Sequence, residues 1–338
     1  MKFHSSKLST RPALFRRSTL LRAGLATCAL LLASQASAQA YPSKPVKLMV
    51  PYAPGGAVDM MGRLIAKEMT ALNRQPYIVE NKGGAGGGIA VAEVARSAPD
   101  GYTILIGATG PNVIVPAVYG ATAGFDPIKD LVPISLLATT PYVLVANPTL
   151  PVRSVAELIS HAKAQGGKVN YASSGTGGPD HLGGELFKQL TGLNVVHVPY
   201  KGSGPALVDL VAGQVQYTFV SPLPSMPLVE SGKLRLLAVT GKQRAPSMPS
   251  VPTVAETVPG FEITAWYGFF VSAGTPPDIV NKILADVRKV VANEEIQQAL
   301  KKRGIEPQTS SPSEFNTFVQ ADLAKWSKIV KDANIKPE

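Results

Sequence analysis

The chain has 338 residues, of which 45% are hydrophobic, and a formal net charge of +10. This length suffices for one large domain or two of ordinary size, each with its own core. Six positive charges lie within the first 22 residues, with no acidic residue among them, so the remainder carries only +4. Because that mild excess forms no run of Lys and Arg, the charge argues against nucleic-acid binding.

Residues 1–38 are predicted to be an export signal peptide. A basic segment is followed by the apolar segment AGLATCALLLA and by small-residue cleavage sites after Ala38 and Ala40. The apolar segment is shorter than the about 20 residues that a membrane-spanning helix needs. Arg16-Arg17 leaves twin-arginine export open beside the favoured general secretion route. Since Cys28 is the only cysteine, the mature chain has none, and the predicted location is the periplasm.

The mature chain alternates predicted strands and helices. The first strand is VKLMVPY, which precedes apolar residues at helical spacing from Val58 to Leu72. The second is YIVE, which precedes a helix of small residues over Ile89–Ala95. Next come the buried strand YTILIGA, a segment interpreted as a link, DLVPISLLATTP, and the strand YVLVAN.

The second half of the chain continues the alternation. The helix SVAELISHAKA begins with a capping box formed by Ser154 and Glu157, and it precedes strand KVNYASS, helix DHLGGELFKQL, strand NVVHVPY and helix PALVDLVA. The strands VQYTFVS and LRLLAVT flank a short proline-rich helix, TAWYGFFVSA is a long strand, and two helices close the chain. This alternation predicts an α/β fold with parallel sheets covered by helices, in which ligands bind beyond the carboxyl ends of the strands.

Four predicted strand-to-helix loops are rich in glycine or serine. They are Pro54–Gly56, Gly83–Gly86, Ser173–Gly178 and Lys201–Gly204. A helix start offers unpaired N–H groups and about half a positive charge, and glycine lets an anion reach them without meeting a Cβ. The loops therefore indicate an anion site, with a set of tight turns as the alternative. Ile89 stands where a dinucleotide motif needs its third glycine, and no GxxxxGK[ST] occurs, so no nucleotide or other cofactor is expected.

Catalytic and metal sites find little support. The three histidines of the mature chain, His161, His181 and His197, have no metal-ligand spacing. His181 falls in the first turn of its helix, where ligand contact and packing are both open. Ser173 or Ser174 could serve as a nucleophile, but no GxSxG motif surrounds either. Asp59 follows the first glycine loop, where a carboxylate is favourable at a helix start.

Several segments, in this order, resemble the Bug-type solute-binding proteins of tripartite tricarboxylate transporters. They are VPYAPGG with Asp59, VEN followed by GAGG, PDGYT, FDPIKDLVPIS, HVPYKGSGPALVDLVAGQV, GKLRLLAVT, PSVPTVAE and WYGFF. The resemblance runs from Tyr41 to about residue 330. One departure is Gly83, where the family often has proline.

The resemblance implies a type II periplasmic-binding-protein fold, with two α/β lobes joined by a two-strand hinge. Lobe 1 would comprise residues 41–140 and 265–338, and lobe 2 residues 141–264, with crossings near Pro141 and Ala265. The implied ligand is a small carboxylate of di- or tricarboxylate, aromatic or amino-acid type. The implied ligand-binding residues are Ala53, Pro54, Gly55, Gly56, Asp59, Gly84, Ala85, Gly86, Ser173, Ser174, Gly175, His181, Tyr200, Lys201 and Gly202.

The implied function is that of a monomeric periplasmic receptor, not an enzyme, that delivers its ligand to an integral-membrane permease. Two other functions are left open. One is a receptor that reports its ligand to a signalling partner, and the other is a periplasmic hydrolase using Ser173 and His181. The residues do not identify the carboxylate.

Overall fold

The computed structural model describes residues 1–2 and 41–332, so the predicted signal peptide lies almost wholly outside the described residues. Residues 44–332 belong to one compact unit. The strands are β1 Val46–Val50, β2 Tyr77–Asn81, β3 Thr103–Ala108, β4 Leu131–Pro141, β5 Val143–Ala146, β6 Asn170–Ser173, β7 Val196–Pro199, β8 Tyr217–Val220, β9 Arg235–Val239, β10 Thr264–Ser272 and β11 Glu306–Pro307.

The helices connect and cover these strands. They are α1 Ala57–Asn73, α2 Gly88–Ala95, α3 Val115–Tyr119, α4 Val155–Ala164, α5 Pro179–Thr191, α6 Ser203–Val211, α7 Pro222–Glu230, α8 Pro277–Val291, α9 Glu294–Lys301 and α10 Pro312–Asp332. A 3₁₀ turn at Ala85–Gly87 precedes α2, and a π-helical turn at Gly110–Ile114 precedes α3. None of the helices in the described ranges combines the length and apolar character that a membrane span requires.

The strands form two sheets of similar topology. The first has the order β11-β4-β10-β3-β1-β2, and the second β7-β6-β8-β5-β9. In each sheet three neighbouring strands are parallel. An antiparallel strand lies beside them: β10 in the first sheet, which also pairs with β4, and β5 in the second, which also pairs with β9. These two sheets confirm the predicted α/β fold of type II periplasmic binding proteins. The prediction of purely parallel sheets was wrong, because β5 and β10 carry the chain between the sheets and must run against their neighbours.

The chain passes between the sheets at two adjacent segments. On the outward pass β4 ends at Pro141 and β5 begins at Val143, so Tyr142 alone separates the sheets. On the return pass the chain leaves β9 and enters β10. Thr240 joins the two segments, since its hydroxyl accepts from the Tyr142 N–H at 2.7 Å and its N–H donates to the Tyr142 carbonyl at 2.9 Å. The crossing is therefore a hydrogen-bonded pair of segments.

Two features of the fold differ from the sequence-based interpretation. The segment taken as a link forms β4, which pairs along its length with β10 despite Pro133 and Pro141. Proline favours edges and strand ends, and β4 has only the two-residue strand β11 on its outer side. A third helix, α9, lies between the two predicted closing helices, where Asn293 caps it by accepting from the N–H groups of Glu295 and Ile296.

Apolar side chains cover both faces of the second sheet. The residues of β5 alternate between two clusters, with Leu144 packed among Tyr171 and Phe187, and Val143 among Ala206 and Leu210. A strand buried on both faces reads as a continuous apolar run, as VLVA does. The helices on each side thus hold the sheet rigidly and fix the strand ends from which the loops project.

Candidate functional site

The four glycine-rich loops meet in two pairs between the sheets. The loop after β1 touches the loop after β7, where the Ala53 N–H donates to the Lys201 carbonyl at 2.7 Å. The loop after β2 touches the loop after β6, and a Cβ built on Gly86 would lie 2.3 Å from the Thr176 carbonyl oxygen. Each pair joins one loop from each sheet. The prediction that these loops lie at equivalent strand ends is therefore consistent with the observed geometry.

A buried cavity of about 20 Å³ lies between the two sheets. That volume holds one or two water molecules. A small organic acid needs more room, so its entry requires the loops to separate. The cavity wall consists of Tyr52, Gly56, Ala57, Val58, Ala108, Thr109, Gly110, Tyr142, Ser174, Pro179, Asp180, Ser203, Val220, Ser221, Ala265 and Tyr267.

Four helices begin at the cavity wall without side-chain caps. They are α1, α5, α6 and α7, whose first residues or N-caps line the cavity. Of the helices that begin away from the wall, α4 and α9 are capped by Ser154 and Asn293, whereas α2 and α8 have no side-chain cap. At the wall, α1 and α6 leave the backbone N–H groups of Ala57, Val58 and Ser203 available among the described residues. The starts of α5 and α7 offer fewer, because Pro179 and Pro222 have no N–H and the His181 N–H donates to Asp180. The convergence of the starts of α1 and α6 makes the cavity suited to an anion.

The only charged side chain on the cavity wall, within the described part of the chain, is Asp180. It is 2% exposed, and its carboxylate accepts from the Ser174 N–H, the Ser174 hydroxyl and the His181 N–H. Burial raises the pKa of Asp180 to about 6, against the opposing effect of these hydrogen bonds. The carboxylate holds the loop after β6 onto the first turn of α5 and adds a negative charge to the cavity.

Three tyrosines surround this carboxylate. Burial raises the pKa of Tyr52 and Tyr142 far above the usual value, and that of Tyr267 to about 12, with the charge of Asp180 adding to each rise. All three hydroxyls are therefore neutral donors at physiological pH. The Tyr267 hydroxyl and the Ser221 hydroxyl are buried beside each other, and their mutual contact lowers the pKa of Tyr267 against the effect of burial. Within the described residues neither makes a hydrogen bond of good geometry to another group, so both keep capacity for a ligand.

Of the sequence-predicted site residues, Gly56 and Ser174 line the cavity. Ala53, Pro54 and Gly55 line an apolar groove beside it, together with residues of α6 and α7. Gly84, Ala85 and Gly86 lie at the other loop pair, where Gly86 faces the loop that contains Gly175. Gly202 contacts the Tyr52–Ala53 backbone. The predicted loops thus surround the cavity and are called its rim. Most residues of the cavity wall lie outside these loops in the sequence.

Asp59 lies behind the first loop. It is 3% exposed, and its carboxylate accepts from the Gly55 N–H at 2.9 Å, from Asn81 at 2.9 Å and from Arg63. Asn81 also donates to the Tyr52 carbonyl at 3.0 Å. The carboxylate therefore orients the loop that precedes α1, and its acceptor positions are occupied by the protein.

Ser173 and His181 do not face each other as a nucleophile and its base. Ser173 is fully buried, and its hydroxyl lies 2.6 Å from Nε2 of His197. His181 accepts at Nδ1 from the Gly177 N–H and stacks on His197, with ring centroids 4.3 Å apart. Neither Ser173 nor His181 is on the cavity wall. These contacts brace the loop after β6 from behind.

Tyr200 and Lys201 lie on the rim. The Tyr200 hydroxyl donates to Asp209 at 2.7 Å, and Lys201 contributes its carbonyl to the contact with Ala53 while its side chain is exposed.

Most of the cavity wall was not predicted from the sequence. Tyr52 and Asp180 each sit one residue from a predicted position, and a wider window around the loops would have included them. Tyr142 and Ser221 come from segments for which the sequence carries no loop signal. For Tyr267 on β10 the sequence favours a core or interface position, with ligand contact as the alternative.

The comparisons with known proteins agree with this architecture. Residues 61–335 match the family described as "Tripartite tricarboxylate transporter family receptor". Protein BugT of Bordetella pertussis is 33% identical over 306 residues, which cover 90% of this chain and 94% of that protein.

Two solved structures from Rhodopseudomonas palustris are also similar. A protein solved with adipate is 38% identical with a TM-score of 0.84, covering 88% of this chain and 100% of that one. MatC, solved with bound malate, is 32% identical with a TM-score of 0.81, covering 86% and 100%. The family match and these likenesses span nearly all of the described chain after residue 41. The chain belongs to the receptor family of the tripartite tricarboxylate transporters.

Proposed function

We propose that this protein is a periplasmic receptor that binds a small carboxylate in the cavity between its two sheets and delivers it to a membrane permease. The observation that carries the proposal is that the uncapped starts of α1 and α6, with free backbone N–H groups, meet at a cavity whose wall, among the described residues, has no Lys, Arg or His. Backbone N–H groups and helix dipoles bind carboxylates without a side-chain cation.

Two similar proteins support the class of ligand. The R. palustris protein was solved with adipate and MatC with malate, and both are carboxylates. Each of those proteins is more than 30% identical to this chain across its whole length. The ligand-contacting residues in this proposal are the cavity wall and the rim loops, including Gly56 and Ser174.

The lobes proposed to close on the ligand are residues 41–140 with 265–338, and residues 141–264. The two sheets and the paired crossing segments at Tyr142 and Thr240 support this division. Since the rim loops touch and the cavity is small, the structure corresponds to a closed arrangement. Rotation about the crossing would open it, which is the hinge closure common in binding proteins of two lobes.

The proposal includes no enzymatic step. The Ser173 hydroxyl is buried against His197 and off the cavity wall, which disfavours the hydrolase alternative. The protein acts as a monomer, with the permease as its macromolecular partner and no nucleic acid or cofactor. A signalling role would use the same cavity, and its distinguishing feature would be a sensor partner in place of a permease.

A thermal-shift screen tests the proposal. The mature protein is heated with a panel of small carboxylic acids, each paired with its methyl ester as a matched control. A binding acid stabilises the folded protein by RT ln(1 + [L]/Kd), so its melting temperature rises while the ester has no effect. The ligand is then recovered and analysed by NMR, and it should be unchanged. A panel without any stabilising acid, or a chemically converted ligand, would contradict the proposal.

A further inference from the structure

We propose that the cavity selects carboxylates of a single negative charge whose other end carries a hydrogen-bond donor, such as a hydroxyl, amide or ammonium group, and that it discriminates against dicarboxylates. This inference rests on the proposed function, because it narrows the class of carboxylate taken by the same site. Its basis is the position of Asp180 on the cavity wall and the adjacent buried hydroxyls of Ser221 and Tyr267.

The charges on the cavity wall disfavour a second ligand carboxylate. Asp180 is the only ionised side chain on the wall within the described residues, and it is 2% exposed. The positive ends of α1 and α6 compensate one carboxylate of a ligand, whereas the start of α5 is already occupied by the Asp180 carboxylate. A second ligand carboxylate would share the desolvated cavity with Asp180 and would find no side-chain cation there. The wall therefore disfavours a dianion.

The Asp180 carboxylate is also held in place. Oδ1 accepts from the Ser174 hydroxyl at 2.9 Å and from the His181 N–H at 3.0 Å, Oδ2 accepts from the Ser174 N–H, and the Asp180 N–H also acts on the carboxylate. A carboxylate has about four acceptor positions, so Oδ2 keeps capacity for a further donor. A ligand hydroxyl, amide or ammonium group supplies such a donor, and a second ligand carboxylate supplies none.

The hydroxyls of Ser221 and Tyr267 add polar capacity beside this acid. Ser221 is 3% exposed and Tyr267 is 2% exposed, and both line the cavity. Their Oγ and Oη atoms contact each other, and within the described part of the chain neither makes a hydrogen bond of good geometry to a further group. Leaving a buried polar atom unpaired is unfavourable, which indicates that a ligand group pairs with them. A hydroxyl can both donate and accept, so it serves the polar end of the ligand.

The structural alternative is that Asp180 only fastens the loop after β6 to α5. In that case its charge would not affect which ligands bind. The two interpretations differ in ligand selectivity, because a fastening role predicts equal changes in affinity for every ligand when Asp180 is replaced.

Calorimetry with matched ligands distinguishes them. At pH 7.5 the mature protein is titrated with adipate, 6-hydroxyhexanoate, 6-aminohexanoate and hexanoate, and with the corresponding four- and five-carbon series, so that chain length is controlled. We expect the best hydroxy or amino acid to bind at least about 10-fold more tightly than the dicarboxylate of its length, a difference of about 1.4 kcal/mol. A dicarboxylate that binds as tightly would overturn the inference and leave the proposed function intact. Failure of every acid here and in the wider panel would overturn both.

Variants then test the residues. Asp180→Asn should improve dicarboxylate binding and weaken amino-acid binding, each by about 10-fold. Glu230→Gln is the control, because it removes the same charge from an exposed position at the end of α7, away from the cavity wall. Ser221→Ala and Tyr267→Phe should weaken the hydroxy acid more than the plain acid. Melting temperatures show whether each variant is folded. If folded Asp180→Asn and both hydroxyl variants keep the wild-type ratios of affinity, the inference is wrong.

Discussion

At the scale of single residues, Asp59 shows how one carboxylate sets the shape of a binding loop. Burial alone would raise its pKa, but the hydrogen bonds from Arg63, the Gly55 N–H and Asn81 outweigh burial and lower it below 3.8. The residue type and its place in the first turn of α1 were evident in the sequence. Its role was not, because it depends on Asn81, which lies 22 residues away on β2.

We predict that Asp59→Asn lowers the free energy of unfolding at pH 7 by about 1–3 kcal/mol, because a charged acceptor of three groups becomes neutral. A carboxyl with a depressed folded-state pKa contributes stability above its unfolded pKa and loses it as pH falls through the folded value. The difference between variant and wild type should therefore shrink below pH 3.8. Urea unfolding at several pH values measures the difference in free energy of unfolding between Asp59→Asn and the wild type. A difference that does not change with pH would contradict this account.

Lys201 provides a second test at this scale. Its side chain is exposed and its backbone carbonyl makes the rim contact, so the ligand should not depend on its charge. Since exposed charges contribute at most about 1 kcal/mol, Lys201→Ala should change the affinity for a carboxylate by less than about 5-fold. Calorimetry measures it. A loss of binding would favour a side-chain ion pair over helix starts as the anion site.

At the scale of elements, local patterns predicted most strands and helices but not their neighbours. Alternation and helical spacing located β1, α1 and β10, since those signals are local. The segment that forms β4 was interpreted as a link, because the long pairing with β10 that makes it a strand joins residues more than 120 positions apart. For the same reason the loops of the site were predictable, while Tyr142 was not, and ligand contact by Tyr267 was only the second interpretation.

The loop before α2 yields a prediction about closure. Gly86 has φ +61, and a Cβ there would lie 2.3 Å from the Thr176 carbonyl oxygen of the opposing loop. Gly86→Ala should therefore hinder closure and weaken carboxylate binding by about 10-fold or more, in addition to about 1–2 kcal/mol of backbone strain.

Gly124→Ala is the matched control for that strain. Gly124 also has a left-handed conformation, with φ +80, but a Cβ there meets nothing within 4 Å. Both variants should lose stability through strain, and Gly86→Ala should lose more because its Cβ would also lie 2.8 Å from Cγ2 of Val115, while only Gly86→Ala loses affinity. Melting temperatures and calorimetry separate the effects, and equal affinities in both variants would show that the contact with Thr176 has no part in binding.

At the scale of the whole molecule, two sheets of one plan enclose a cavity lined mainly by helix starts and by the crossing. Composition and alternation predicted an α/β protein with a large core. They could not predict two lobes, because the division depends on where β5 and β10 insert into the sheets, which follows from long-range pairing. The resemblance to a family supplied that expectation, and the strand order confirmed the fold.

Closure of the two lobes around a carboxylate is the central claim, and small-angle X-ray scattering of the mature protein tests it most directly. The experiment uses the acid identified by the thermal screen, with calorimetry on the same sample to prove saturation. The apo protein should be predominantly open, so the radius of gyration should fall on binding, and Gly86→Ala should remain larger at saturation. Identical radii with and without ligand, while calorimetry shows the site to be full, would contradict the account.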